Sequence, residues 1–213
     1  MAAVIVDRRS QFVAGECREK QANILRRARH RSGDSQQPPR MADRRKAARA
    51  GDAATARSAL DSLGQLQQQL SSMKESYWAN QVEIQRQEVS AWLAFAQGDQ
   101  ETALRSMRAV AEMEDGTEKS AVTPGPLKPA HELLGEMLLE LKRPADALKE
   151  FEATLNKEPN RFLALYGAAR SAKLAGDERT SRDYFRKLLK VADSGDKHGR
   201  PELAEAIRET KSN

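Results

Sequence analysis

The sequence contains a pattern of a small residue followed four positions later by a large aromatic one, and this pattern recurs along the chain. Ala147 and Phe151 are matched 34 residues later by Ser181 and Phe185. Recurrence at an interval of about 20 to 50 residues is typical of stacked repeat architectures. Further upstream, Ala103 and Ala56 occupy the same position after a turn. Ala103 lies 44 residues before Ala147, and Ala56 lies 47 residues before Ala103. We therefore expect repeated structural units of constant order and unequal length.

Composition and turn signals indicate that these units are helical. Aromatic residues make up only 5% of the chain, and the abundant Ala, Leu, Glu, Lys, Arg and Gln favour helix over sheet. Gly followed by Asp ends one helix and caps the next, and Pro is tolerated at a helix start. Such breaks occur at Gly51-Asp52, Gly98-Asp99, Gly176-Asp177 and Pro144. We expect an all-α protein in which each break joins two antiparallel helices.

Residues 128–191 resemble the tetratricopeptide repeat. The positions that carry the resemblance are Leu134-Gly135, Leu138, Ala147, Phe151 and Pro159. His131 stands where the family usually has Trp, and Leu138 where it has Tyr. Several stretches are also similar to bacterial proteins of tetratricopeptide type, a group that implies a fold and no chemistry. The resemblance implies a right-handed α-solenoid of about four antiparallel helix pairs, with a short closing helix at residues 200–211.

The charge is unevenly distributed and suggests three regions. Residues 1–46 hold twelve Lys and Arg against five acidic residues, whereas the whole chain of 213 residues has a net charge of only +5. The linker-like composition of 32–40 separates a basic, disordered tail at 1–40 from a repeat domain at 41–193. Residues 194–213 form a loop and a capping helix in this reading. A solubilising tail and a nucleic-acid contact through residues 8–46 are the two interpretations of the basic segment.

The His131-Glu132 pair raises the question of a metal site. A zinc hydrolase of the His-Glu-x-x-His type needs a second His one turn later, because both ligands must lie on one helix face. Gly135 stands at that position. The sequence also contains no nucleophile elbow, phosphate loop or dinucleotide-binding Gly motif, and Cys17 is its single cysteine. We therefore predict a protein that is not an enzyme and binds no metal or cofactor.

The tetratricopeptide resemblance implies a concave groove, lined by the first helix of each pair, that receives a protein or peptide partner. Aromatic and Arg side chains are the usual anchors of such surfaces. Tyr166 and Arg170 are the strongest candidates, and Trp92 can equally be read as a core residue. Glu132, Glu136 and Glu140 are spaced by four residues and can equally be read as a solvated acidic face of one helix. The full predicted groove set is Trp92, Glu132, Glu136, Tyr166, Arg170 and Lys173.

Three further expectations concern the rest of the chain. The proline-containing insertion at 115–129 is either a brace between repeats or a recognition loop. An apolar face left open near residues 41–60 would favour a homodimer. No window reaches the apolar length of a membrane span, so the cytoplasm is the default location. The same composition would also fit a part of a longer exported protein.

Overall fold

The computed structural model describes residues 53–117, 128–193 and 200–211. All regular structure within these ranges is α-helical, so the predicted fold class is confirmed for this part of the chain. The helices are α1 (Ala53–Ser72), α2 (Ser76–Ala96), α3 (Gln100–Asp115), α4 (Ala130–Glu140), α5 (Pro144–Lys157), α6 (Phe162–Leu174), α7 (Glu178–Val191) and α8 (Pro201–Lys211).

The chain divides into two compact units, the first made of Met1–Asp99 with Thr117–Gly125 and the second of Gln100–Gly116 with Pro126–Asn213. Of the helices described, α1 and α2 lie in the first unit and α3 to α8 in the second. A single repeat domain over 41–193, the right-handed superhelix and the antiparallel pairing stay predictions. The basic tail and most of the 115–129 insertion lie outside the described residues.

The helix ends follow the turn chemistry that the sequence indicated. Gly98 and Gly176 have φ values of +87° and +86°, a left-handed conformation that glycine adopts without a steric penalty. The Asp177 side chain then accepts a hydrogen bond from the backbone N–H of Thr180 at 3.0 Å, which caps α7. Pro144 is the first residue of α5. These local signals explain where α2 and α6 end and where α5 and α7 begin.

The second unit is held together around the ring of Phe151, which α5 places between two glycines. A Cβ atom at Gly167 of α6 would lie 2.4 Å from the ring, and one at Gly135 of α4 would lie 2.9 Å from it. Both distances are shorter than van der Waals contact, so only glycine fits at these two positions. The close approach brings α4, α5 and α6 into one packed layer.

A neighbouring apolar cluster packs α6, α7 and α8 against one another. Its buried members are Leu165 and Ala169 of α6, Phe185 and Leu188 of α7, and Leu203 and Ala206 of α8. Phe185 is the aromatic residue of the repeating pattern, and Ser181 of that pattern is buried as well. Because α6 is packed on one side by α5 and on another by α7, most of its circumference is buried. The part that stays exposed is therefore a narrow face.

Candidate functional site

The exposed face of α6 carries large apolar side chains next to a cation. Leu163 is 41% exposed and Leu174 is 61% exposed, and Arg170 between them is also exposed. Spacings of seven and four residues place these three side chains on one side of a helix. The two leucines are eleven residues apart on this side of α6, with Arg170 between them. We call Leu163, Tyr166, Arg170, Lys173 and Leu174 the α6 face.

Tyr166 and Arg170 form a compact pair within the α6 face. The Arg170 guanidinium carbon lies 5.7 Å from the centre of the Tyr166 ring, which is within the range of a cation–π contact. The Tyr166 hydroxyl donates a hydrogen bond to Oε2 of Glu205 at 2.5 Å. Partial burial, followed by this bond to a carboxylate, raises the pKa of Tyr166 to about 12. The phenol therefore stays protonated and remains a hydrogen-bond donor.

Lys173 extends the same face toward α8. Its Nζ lies 2.6 Å from Oε2 of Glu209, and this hydrogen bond is the main reason that the pKa of Lys173 is raised. Arg170 Nε lies 3.8 Å from Oε1 of Glu205. The structure thus brings together the three predicted site residues on α6 and pairs each with a carboxylate of α8.

Glu132 is in the protein interior, in contrast to its predicted place in a groove. Its exposure is 0%. Arg161 Nε donates a hydrogen bond to its Oε2 at 2.5 Å, and its Oε1 lies 3.8 Å from Lys128 Nζ without accepting a hydrogen bond from the described residues. Burial raises the pKa of Glu132, and the bond to Arg161 opposes that rise. Glu136 is partly exposed and forms an ion pair with Lys128.

Trp92 is also in the interior rather than on an open surface. Its exposure is 1%, and its ring meets Phe95 edge-on at a centroid distance of 5.4 Å. The reading of Trp92 as a core residue fits this burial. Because both side chains are buried, Trp92 and Glu132 have no surface available to a partner.

His131 joins three helices of the second unit. Its Nδ1 lies 2.6 Å from Oε2 of Glu150 on α5, and its Nε2 lies 3.2 Å from Oδ2 of Asp115 on α3. Lys157 Nζ donates to Oδ1 of the same Asp115 at 2.5 Å. A cationic imidazole between two carboxylates suits this arrangement. His131, at the position where the family usually has Trp, is therefore the centre of an ionic cluster with Asp115, Glu150 and Lys157, which we call the clasp.

The clasp predicts a stability optimum at mildly acidic pH. The hydrogen bond to Glu150 raises the pKa of His131. The contribution of protonated His131 to folding stability is therefore complete below its unfolded-state pKa of about 6.5, and it is lost as pH rises through its folded-state pKa. Burial favours a higher pKa for Asp115, but Lys157 and His131 outweigh it and lower that pKa. The contribution of ionised Asp115 to folding stability is therefore present above its unfolded-state pKa of about 3.9, and it is lost as pH falls through its folded-state pKa.

We expect His131→Gln to lower the free energy of unfolding by about 1 kcal/mol between pH 5 and 6, and by less at pH 8.5. Urea titrations of the wild type and the variant across this range measure the difference. A cost that does not change with pH would show that the imidazole acts by packing alone.

The described residues contain no group of three or more His, Cys, Asp or Glu side chains placed to hold a metal ion. None of the helices in the described ranges is both long and apolar enough to cross a membrane. The predicted nucleic-acid contact through 8–46 lies outside those ranges.

Comparison with known families identifies the segment that contains the α6 face. The tetratricopeptide repeat model matches residues 163–193, which comprise nearly all of α6 and the whole of α7. The resemblance is thus confirmed for this helix pair. No curated protein matches the chain.

Sequence reasoning missed Leu163 and Leu174. The signal was available as an apolar residue on each side of Arg170 at helical spacing. It could be read only once the α6 boundaries were known, because apolar residues at such spacing usually face a core.

Proposed function

We propose that this protein is a non-catalytic interaction module that holds a protein or peptide partner on the α6 face. A tetratricopeptide segment indicates a role in protein–protein interaction or as a scaffold. The observation that carries the finer proposal is the position of Leu163 and Leu174, both exposed, on either side of the Tyr166–Arg170 pair. Interfaces commonly combine apolar contact area with aromatic and Arg anchors.

The chemistry of the α6 face favours a partner with two kinds of side chain. Burying an exposed leucine yields about 25 cal/mol per Å² of apolar area removed from water. Arg170 and Lys173 add positive charge beside the leucines, and both already contact carboxylates. A complementary partner therefore presents apolar side chains together with acidic ones. The helix that holds these residues is packed on α5 and α7, so the face is rigid before the partner arrives.

The proposal predicts that substitutions confined to this face abolish partner capture. A variant with Leu163→Ser, Arg170→Glu and Leu174→Ser removes the apolar area and reverses one charge. These side chains are exposed, so we expect the change in folding stability to stay within about 1 kcal/mol. Affinity capture from a cell lysate, read by quantitative mass spectrometry, should show at least a tenfold loss of the proteins that the wild type retains.

The matched control is Met73→Ser with Arg105→Glu. Met73 is 47% exposed and Arg105 is exposed as well, but neither lies on the α6 face. The control should retain the same proteins as the wild type. Equal capture by the wild type and the α6 variant, with both folded by circular dichroism, would refute the assignment of the α6 face.

A further inference from the structure

The acidic side chains of α8 contact the residues that the proposed function assigns to a partner. Glu205 accepts the hydrogen bond from Tyr166 and lies 3.8 Å from Arg170. Glu209 is one helical turn further along α8 and pairs with Lys173. Two carboxylates four residues apart on one helix thus match two cationic positions on another. The α6 face therefore matches a helix that carries two negative charges four residues apart.

α8 is attached to the rest of the second unit by a narrow apolar contact. Only Leu203 and Ala206 of this helix are buried, and both pack into the cluster with Phe185 and Leu188. A cleft of roughly 610 Å³ between α8 and the end of α7 is lined by Leu189, Leu203 and Ile207, among others, and Ile207 is exposed. Few buried side chains and many exposed ones are characteristic of elements that open locally at low cost.

Glu205 and Glu209 thus join α8 to α6 by polar contacts, in addition to the apolar contact made by Leu203 and Ala206. Tyr166 stays protonated over the physiological range and donates a hydrogen bond to Glu205. Lys173 keeps its charge over the same range. Hydrogen bonds that involve a charged group are stronger than neutral ones. Neutralising Glu205 and Glu209 weakens the attachment of α8 without removing Leu203 or Ala206 from the core.

We propose that α8 is an intramolecular occupant of the α6 face, and that the partner of this protein is an acidic helix with carboxylates one turn apart. This inference rests on the proposed function of the α6 face. The partner helix displaces Glu205 and Glu209 and takes over Tyr166, Arg170 and Lys173. Leu163 and Leu174, which α8 leaves exposed, then give the partner contacts that α8 does not make.

Tethering explains why α8 competes effectively although it makes few contacts. A segment held on the same chain has an effective concentration of the order of millimolar at its own site. A partner in solution must overcome this advantage, so the wild type is a weak binder of any helix that merely copies α8. Weakening the tethered helix raises the fraction of molecules with an open α6 face, and the apparent affinity for an external helix rises in proportion.

The test uses the full chain and a fluorescent peptide with the sequence of residues 200–211. A hydrocarbon staple across the exposed positions 204 and 208 keeps the peptide helical, since an isolated helix of this length is marginal in water. Fluorescence anisotropy compares the wild type with Glu205→Gln/Glu209→Gln. We expect the variant to bind the peptide about tenfold more tightly or better. Adding Tyr166→Phe and Lys173→Gln to the variant should abolish this gain.

Two controls separate carboxylate recognition from general effects. The first is the protein variant Glu101→Gln/Glu112→Gln, which removes two exposed carboxylates of α3 and should bind like the wild type. The second is a stapled peptide with Gln in place of both glutamates, which should bind at least tenfold more weakly than the acidic peptide. Circular dichroism and urea unfolding establish that each variant is folded.

Either of two results would overturn the inference. One is no gain in affinity when Glu205 and Glu209 are neutralised in the protein, and the other is equal binding of the acidic and Gln peptides. Both are distinguishable from failure of the proposed function, which is measured by lysate capture with the α6 variant. Loss of capture together with a negative peptide result would leave the α6 face as a binding site and remove α8 as its occupant.

Discussion

Gly167→Ala is expected to lower the free energy of unfolding of the second unit by about 1–3 kcal/mol, the usual cost of overpacking a core. The added Cβ would lie 2.4 Å from the Phe151 ring, which is itself confined on its other side by Gly135. Phe151→Ala should cost more, about 3–5 kcal/mol, because it leaves a ring-sized cavity between α4, α5 and α6. Urea unfolding followed by circular dichroism measures both.

Repeating Gly167→Ala in a Phe151→Leu background tests whether the Phe151 ring causes the loss of stability. Phe151→Leu shortens the side chain, so a Cβ at position 167 has room, and alanine is about 1 kcal/mol better than glycine in a helix. Gly167→Ala should therefore become neutral or stabilising in that background. The matched control is Gly64→Ala in α1, where an added Cβ meets nothing within 4 Å, and it should stabilise. Equal costs of Gly167→Ala in both backgrounds would contradict the contact.

Arg161→Ala is expected to lower the free energy of unfolding by about 3–5 kcal/mol near neutral pH. It leaves Glu132 buried without its hydrogen-bonded partner, and breaking a buried pair costs far more than the pair contributes. The matched control is Arg143→Ala, which removes an exposed partner of Asp146 and should cost less than about 1 kcal/mol. Urea unfolding of the two variants gives the comparison directly.

The pH dependence of Arg161→Ala has a defined sign. Burial raises the pKa of Glu132 above its unfolded value, so protonation favours the folded state, and stability is lost as pH rises through the folded-state pKa. Removing Arg161 strengthens this effect. The variant should therefore recover part of its stability at pH 5 relative to pH 7.5. A cost equal to that of Arg143→Ala at both pH values would show that Glu132 does not depend on Arg161.

The candidate site shows where sequence reasoning succeeds and where it stops. The family resemblance places Tyr166, Arg170 and Lys173 on the first helix of a pair, and they lie together because all three are on one helix. The same resemblance places Glu132 on such a helix, yet Glu132 is buried with Arg161. Spacing along a helix predicts which residues share a face. It does not predict which side chains of a neighbouring helix pack against that face.

Local sequence signals are enough to predict the all-helical class, the turns at Gly98 and Gly176, the start of α5 at Pro144 and the tetratricopeptide character of α6 and α7. These features depend on residues within a few positions of each other, so their physical causes are local. Packing between helices is what places Phe151 between two glycines, buries Trp92 and Glu132, and sets the carboxylates of α8 against α6. Each of these depends on side chains that meet across helices, and no local pattern encodes which ones do.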